Sequence, residues 1–199
     1  MVQTPTIQDI EAAREAFEAN EPRDLFYRAA TELVALALGG KTSLSVAEAL
    51  AVLLQTWNKI FYRYTRFDSR HFARIEGLIH DHHSILITFR QRSIQGLNQE
   101  DQSEVVPVFK AFEEVLGPVG AAKCLHLLAP CFFPLWDNAI AKAYGLPLRK
   151  KGRNAERYWR FMEIVKEQLQ SLARGQAIGG NPLKAIDEYN YCKHTKGWI

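Results

Sequence analysis

Cysteine is scarce in this 199-residue chain: Cys124, Cys131 and Cys192 are an odd number, and none sits in a Cys-x-x-Cys pair. That argues against a disulfide framework and for a reducing, cytoplasmic setting. Cys124 and Cys131 stand in apolar sequence and read as core thiols before metal ligands. Long hydrophobic runs are missing too. No stretch approaches the roughly 18 uncharged apolar residues that a membrane span needs, so no membrane partner is expected. The N-terminus is acidic and polar, without the basic start and apolar core of a signal peptide. No alternating strand pattern appears, and neither does a Walker or dinucleotide glycine loop or a nucleophile elbow. His80, His82 and His83 cluster in IHDHHS, but only His80 and His83 share a helical face, and no second cluster completes a ligand set. No metal and no cofactor are expected.

Helical period is abundant instead. With 47% apolar and 24% charged residues the chain suits one globular core. Helices are expected over about 6–19, 23–38, 45–64, 69–80, 83–94, 101–116, 121–129, after Asp137, over 154–174, and within the last twenty residues. Ser45 and Glu48 form a Ser-x-x-Glu capping box, Asn98 is a candidate cap, and Gly117 is a stop. The fold class is therefore all-α, a single compact helical domain over 1–199. Linker-like pieces at 145–153 and 175–182 are too short to divide it, and a monomer is expected.

Charge is uneven along the chain. The first 22 residues carry five acids (Asp9, Glu11, Glu15, Glu18 and Glu21) against Arg14, whereas RKKGRNAERYWR at 149–160 carries six bases and one acid. Arg149, Lys150, Lys151 and Arg153 are thus candidates for holding a polyanion, with a solvated loop as the plain alternative.

Residues 116–137 carry the chemical signal. LGPVG at 116–120 opens an apolar helix, AAKCLHLLA, and FPLWD at 133–137 ends on one carboxylate among aromatics. Small residues such as Gly117 and Gly120 let another backbone approach, and free amides at a helix start can hold phosphate. This arrangement resembles the helix-hairpin-helix DNA glycosylase superfamily, the 8-oxoguanine glycosylase and endonuclease III group. Its members carry a Leu-Pro-Gly-Val-Gly hairpin, an apolar helix and a Pro-x-x-Asp loop that delivers a catalytic aspartate. AEALAVLLQTWNK at 47–59 is similar to the helix that precedes their lesion-filling residues. The resemblance covers about 45–145, half the chain, with the basic helices of 149–199 beyond it. Two departures are visible. Gly117-Pro118 transposes the family's Pro-Gly, and the position of the family's catalytic lysine is Ala122, one residue before Lys123.

The resemblance implies a base-excision enzyme that cleaves the N-glycosidic bond of a damaged or modified base in double-stranded DNA. Asp137 would promote base loss, and Lys123 would act as nucleophile and lyase or contact phosphate. The base, flipped from the stack, would enter an aromatic pocket, for which Trp136, Trp57, Phe132 and Tyr62 are candidates. Gln55 would fill the vacated position, and Gly117 and Gly120 would meet phosphate. Each residue has a plainer role: Asp137 as a helix cap, Trp57 and Tyr62 as core, Gln55 as a polar helix residue, His126 as a satisfied core histidine. The alternative reading of the whole is a non-catalytic module that binds nucleic acid or protein on the same scaffold.

Overall fold

Capping chemistry sets most helix starts. The computed structural model describes residues 4–173 and 179–199. Helix α1 (Ile7–Asn20) begins at a reciprocal Thr6/Asp9 capping box, and α3 (Val46–Trp57) at the expected Ser45/Glu48 box. Between them α2 (Asp24–Leu38) stops at Gly39, and Gly40 follows with φ +63°. Asp68 caps α5 (Ser69–Asp81), and α6 (His83–Arg90) follows. A 3₁₀ turn capped by Asn98 leads into α7 (Gln102–Leu128). Asp137 caps α8 (Asn138–Ala143). Helix α9 (Ala155–Ala173) precedes α10 (Pro182–Asn190), which Asn181 caps, and a π-type turn over Tyr191–Lys196 closes the chain. No strand occurs among the described residues, and none of their helices is long and apolar enough to cross a membrane. Arg174, where the expected ninth helix ends, and 175–178 of the second linker-like piece lie outside the described residues.

Two helices end earlier than periodicity predicts, and at each end a side chain bonds a carbonyl distant in sequence. The helix expected to reach Tyr64 breaks at Asn58 (φ −109°, ψ 30°) and resumes as a single turn, α4 (Lys59–Tyr62). The buried Asn58 backbone amide still donates to Leu54, and its side-chain amide donates to the Leu116 carbonyl at 3.3 Å. Likewise α6 stops at Arg90, whose guanidinium donates to the Leu127 and Leu128 carbonyls at 3.3 and 2.7 Å and so satisfies the end of α7.

Helix α7 is the axis of the molecule. It packs on α2, α3, α5, α6 and α9. At its middle, Gly117 adopts φ +70°, ψ 168°, and Pro118 starts a second helical run. The expected connection between two helices is thus one residue of irregular backbone. From Gly120 to Ala129 every residue is buried except Lys123, which is half-buried. At the other end of the core, α1 packs against α10 and the closing turn. One hydrophobic cluster runs from Ile10 to Cys192 and shows no break near residue 145.

Candidate functional site

Lys123 is a polar interruption in an apolar helix, so its surroundings decide its chemistry. Its Nζ donates to the Trp57 carbonyl at the end of α3 and lies 5.2 Å from the centre of the Trp57 ring. Burial pulls the amine down to about 8 from its ordinary 10.5, against the opposing pull of Asp137 and Asp187. At pH 8 about half of such amines are free base.

Asp137 is held from two sides. Its Oδ1 accepts the Ile140 amide at 2.8 Å, which caps α8, and its Oδ2 accepts the Thr195 hydroxyl at 2.8 Å from the closing turn. The preceding Trp136 donates its indole N–H to the Pro118 carbonyl at 3.1 Å. The aspartate loop is thereby tied to the same helical run that carries Lys123. His126 adds a second tie. One ring nitrogen meets the Phe133 carbonyl at 2.7 Å and must donate to it, so the other accepts the Tyr27 hydroxyl at 2.9 Å. Burial lowers this histidine to about 4, which leaves it neutral and structural, as expected from the sequence.

Segments distant in sequence complete the cluster. Tyr27 of α2 stacks on Trp57 with centroids 5.4 Å apart and planes 28° from parallel. Lys184 of α10 lies 4.9 Å from the Tyr27 ring centre and pairs with Asp24 and Glu188 at 3.1 and 3.0 Å. Asp187, three residues on, makes no side-chain hydrogen bond to a described residue. Burial pushes its carboxyl up to about 7, although Lys184 and Lys123 oppose this, while Glu188 and Asp137 add to it. A cavity of about 450 Å³ opens beside Tyr27 and Lys184, bordered also by Arg14, Glu18, Asn181 and Glu188. Neither Tyr27 nor Asp187 stood out in the sequence. Both look like ordinary members of amphipathic helices, and no local motif marks them.

The other predicted site residues divide. Trp57 stays at the cluster. Trp136 and Phe132 do not form an aromatic pocket: they are 1% and 0% exposed. Trp136 packs on Phe109, Tyr158 and Phe161, and Phe132 stacks on Phe89 at 4.5 Å. Their apolar neighbourhood is core. Tyr62 belongs to a separate group, its hydroxyl 2.9 Å from His71 Nε2 and its ring against Phe61 and Phe67. Gly117 and Gly120 are buried, and the close approaches they permit are internal. A Cβ on Gly117 would stand 3.2 Å from the Phe61 ring, and one on Gly120 2.5 Å from the Asn58 amide. Gln55 is exposed on α3, as are Arg149, Lys150, Lys151 and Arg153. The loop bearing those four bases is anchored, since buried Glu113 accepts from both the backbone and side-chain nitrogens of Asn154. Among the described residues, no group of three or more His, Cys, Asp or Glu side chains is arranged to hold a metal. The chain matches no family model, no curated protein and no solved structure.

Proposed function

We propose that this chain excises a base from DNA, with Asp137 as the carboxylate beside the reacting sugar and Lys123 as the attacking amine. The observation that carries this reading is the amine of Lys123, drawn down to about 8 by burial beside Trp57 and Tyr27, with Asp137 near enough to act on its charge. Breaking a base–sugar bond builds positive charge at C1′, and a fixed carboxylate stabilises it. The free amine adds its electron pair to C1′ as the bond to the base breaks. The departing base takes up a proton, and opening of the sugar ring leaves an imine to Lys123. One N–H of the amine points at the Trp57 carbonyl, which leaves its electron pair directed elsewhere.

One observation favours the binding-module reading. Both Asp137 oxygens are already occupied, by the α8 cap and by Thr195. Base release from a panel of duplex and single-stranded oligonucleotides carrying oxidised, alkylated and deaminated bases separates the two, with borohydride present to trap an imine. Excision predicts release by the wild type, loss of release in Asp137→Asn, and a trapped adduct that disappears in Lys123→Gln. Binding without release from any substrate assigns the chain to the non-catalytic module.

A further inference from the structure

The segment that follows Trp57 is built unlike the rest of the surface. It leaves two large apolar side chains in solvent, Ile60 at 72% and Tyr64 at 87% exposure, with Phe67 exposed to a lesser degree. Single exposed apolar residues are ordinary, but these stand among Lys59, Arg63, Arg66 and Arg70, all exposed. The lone acid between them, Asp68, spends its Oδ1 on the His71 amide as the cap of α5. Among the described residues none of the four bases forms an ion pair.

The segment is also braced. Asn58 bonds the Leu116 carbonyl, Phe61 lies on Gly117, and Tyr62 bonds His71. Ile60 and Tyr64 are thus carried on a loop that its neighbours fix. Helix α5, which follows it, adjoins the other basic loop: Arg74 and Lys151 donate to the same Glu114 carbonyl at 3.2 and 3.1 Å. The segment also begins at the residue whose carbonyl takes the Lys123 amine.

We propose that residues 59–70 form a DNA-contacting surface in which Lys59, Arg63, Arg66 and Arg70 hold phosphates while Ile60 and Tyr64 enter the base stack beside the reacting nucleotide. The choice of occupant follows from chemistry. Four cations that form no ion pair among the described residues, with Asp68 as the one acid between them, suit a polyanion, an aromatic face stacks on any base, and an aliphatic wedge separates base steps. The placement beside the reacting nucleotide rests on the excision reading, whereas the contact with DNA does not.

The test is fluorescence anisotropy of a labelled duplex with the full chain across a salt series. The variants are Ile60→Ser/Tyr64→Ser and Arg63→Gln/Arg66→Gln. These side chains are exposed, so unfolding transitions should match the wild type. The charge variant should reduce the slope of log affinity against log salt by about 2, one phosphate contact per arginine. The apolar variant should keep the slope and bind roughly ten- to a hundred-fold more weakly, as expected for losing stacking contacts. A fluorescent adenine analogue in the duplex should brighten with the wild type and stay quenched with the apolar variant. Wild-type DNA binding that neither pair of substitutions alters overturns the surface and leaves excision standing if base release continues. Binding that both pairs weaken, without base release from the wild type, keeps the surface and overturns excision. A wild type that binds no DNA, or that polyglutamate displaces as readily as unlabelled duplex, overturns the surface.

Discussion

Replacing Lys123 with Met should stabilise this protein, although it removes a hydrogen bond. The amine falls from 10.5 to about 8 because folding strips water from it. A fall of about 2.5 pH units at about 1.36 kcal/mol each sets an upper bound of about 3–4 kcal/mol on the strain of holding the ammonium in place. The side chain is half-buried, so solvent trims that figure. Losing the bond to the Trp57 carbonyl takes back about 1 kcal/mol. Methionine keeps the stem and its packing on Trp57. A net gain of about 1–2 kcal/mol at pH 7 should remain. The sign of its pH dependence follows from proton counts. Between pH 8 and 10.5 the folded amine holds fewer protons than the unfolded one, so wild-type stability rises across that window. The advantage of Lys123→Met is therefore full below pH 8 and fades as pH approaches 10.5. Urea unfolding of both proteins from pH 7 to 10 measures this difference directly, and groups common to both cancel. A gap that is absent at pH 7, or that stays constant to pH 10, would mean the ammonium is well solvated. Lys123 would then lack the free amine that its proposed chemistry needs.

Three other perturbations follow from the same cluster. Asp187 keeps its proton up to about 7 when folded, against 3.8 ordinarily, so wild-type stability falls as pH rises through that window. Asp187→Asn should match the wild type near pH 4 and gain on it to a plateau above pH 7, read as a difference in Tm along a pH series. Tyr27→Phe keeps the ring on Trp57 but leaves a buried His126 nitrogen without its donor. Denaturant unfolding should show a loss of about 1–3 kcal/mol. Gly120→Ala forces a Cβ to within 2.5 Å of the Asn58 amide and 3.0 Å of Leu116 Cβ. It should lose about 1–3 kcal/mol, and less when combined with Asn58→Ala, a coupling that a double-mutant cycle in urea detects.

Helix starts were the most legible part of this fold. Ser45 with Glu48, Asn98 before α7 and Gly117 within it each announce themselves through local chemistry, and the structure uses all three. Helix ends at Asn58 and Arg90 were not legible, and the carbonyls their side chains reach, those of Leu116, Leu127 and Leu128, lie dozens of residues away. The site shows the same division. Lys123 and Asp137 could be picked out because each is polar in an apolar run. Tyr27 and Thr195 could not, since the groups they bond, His126 and Asp137, lie far from them along the chain. The misplaced pocket residues, Trp136 and Phe132, fall in a run from Phe132 to Trp136 that is buried throughout. Such a run offers no period from which to read an outward face.

The place of the lysine, at 123 and not at 122, bears on how the proposed chemistry would be carried. A helix turns about 100° per residue, so neighbouring positions face different surroundings. Ala122 is 0% exposed and sits in the core, where a lysine would bury an unpaired charge. Lys123, one step on, has the only opening between Gly120 and Ala129, toward the end of α3. The single-residue break at Gly117 sets the phase of this second helical run, and Asn58 against Gly120 fixes how closely α3 approaches it. Of these two positions, 123 is thus the one that can hold a lysine with an opening. With a turn of one glycine and a proline, the amine reaches the Trp57 carbonyl from 123.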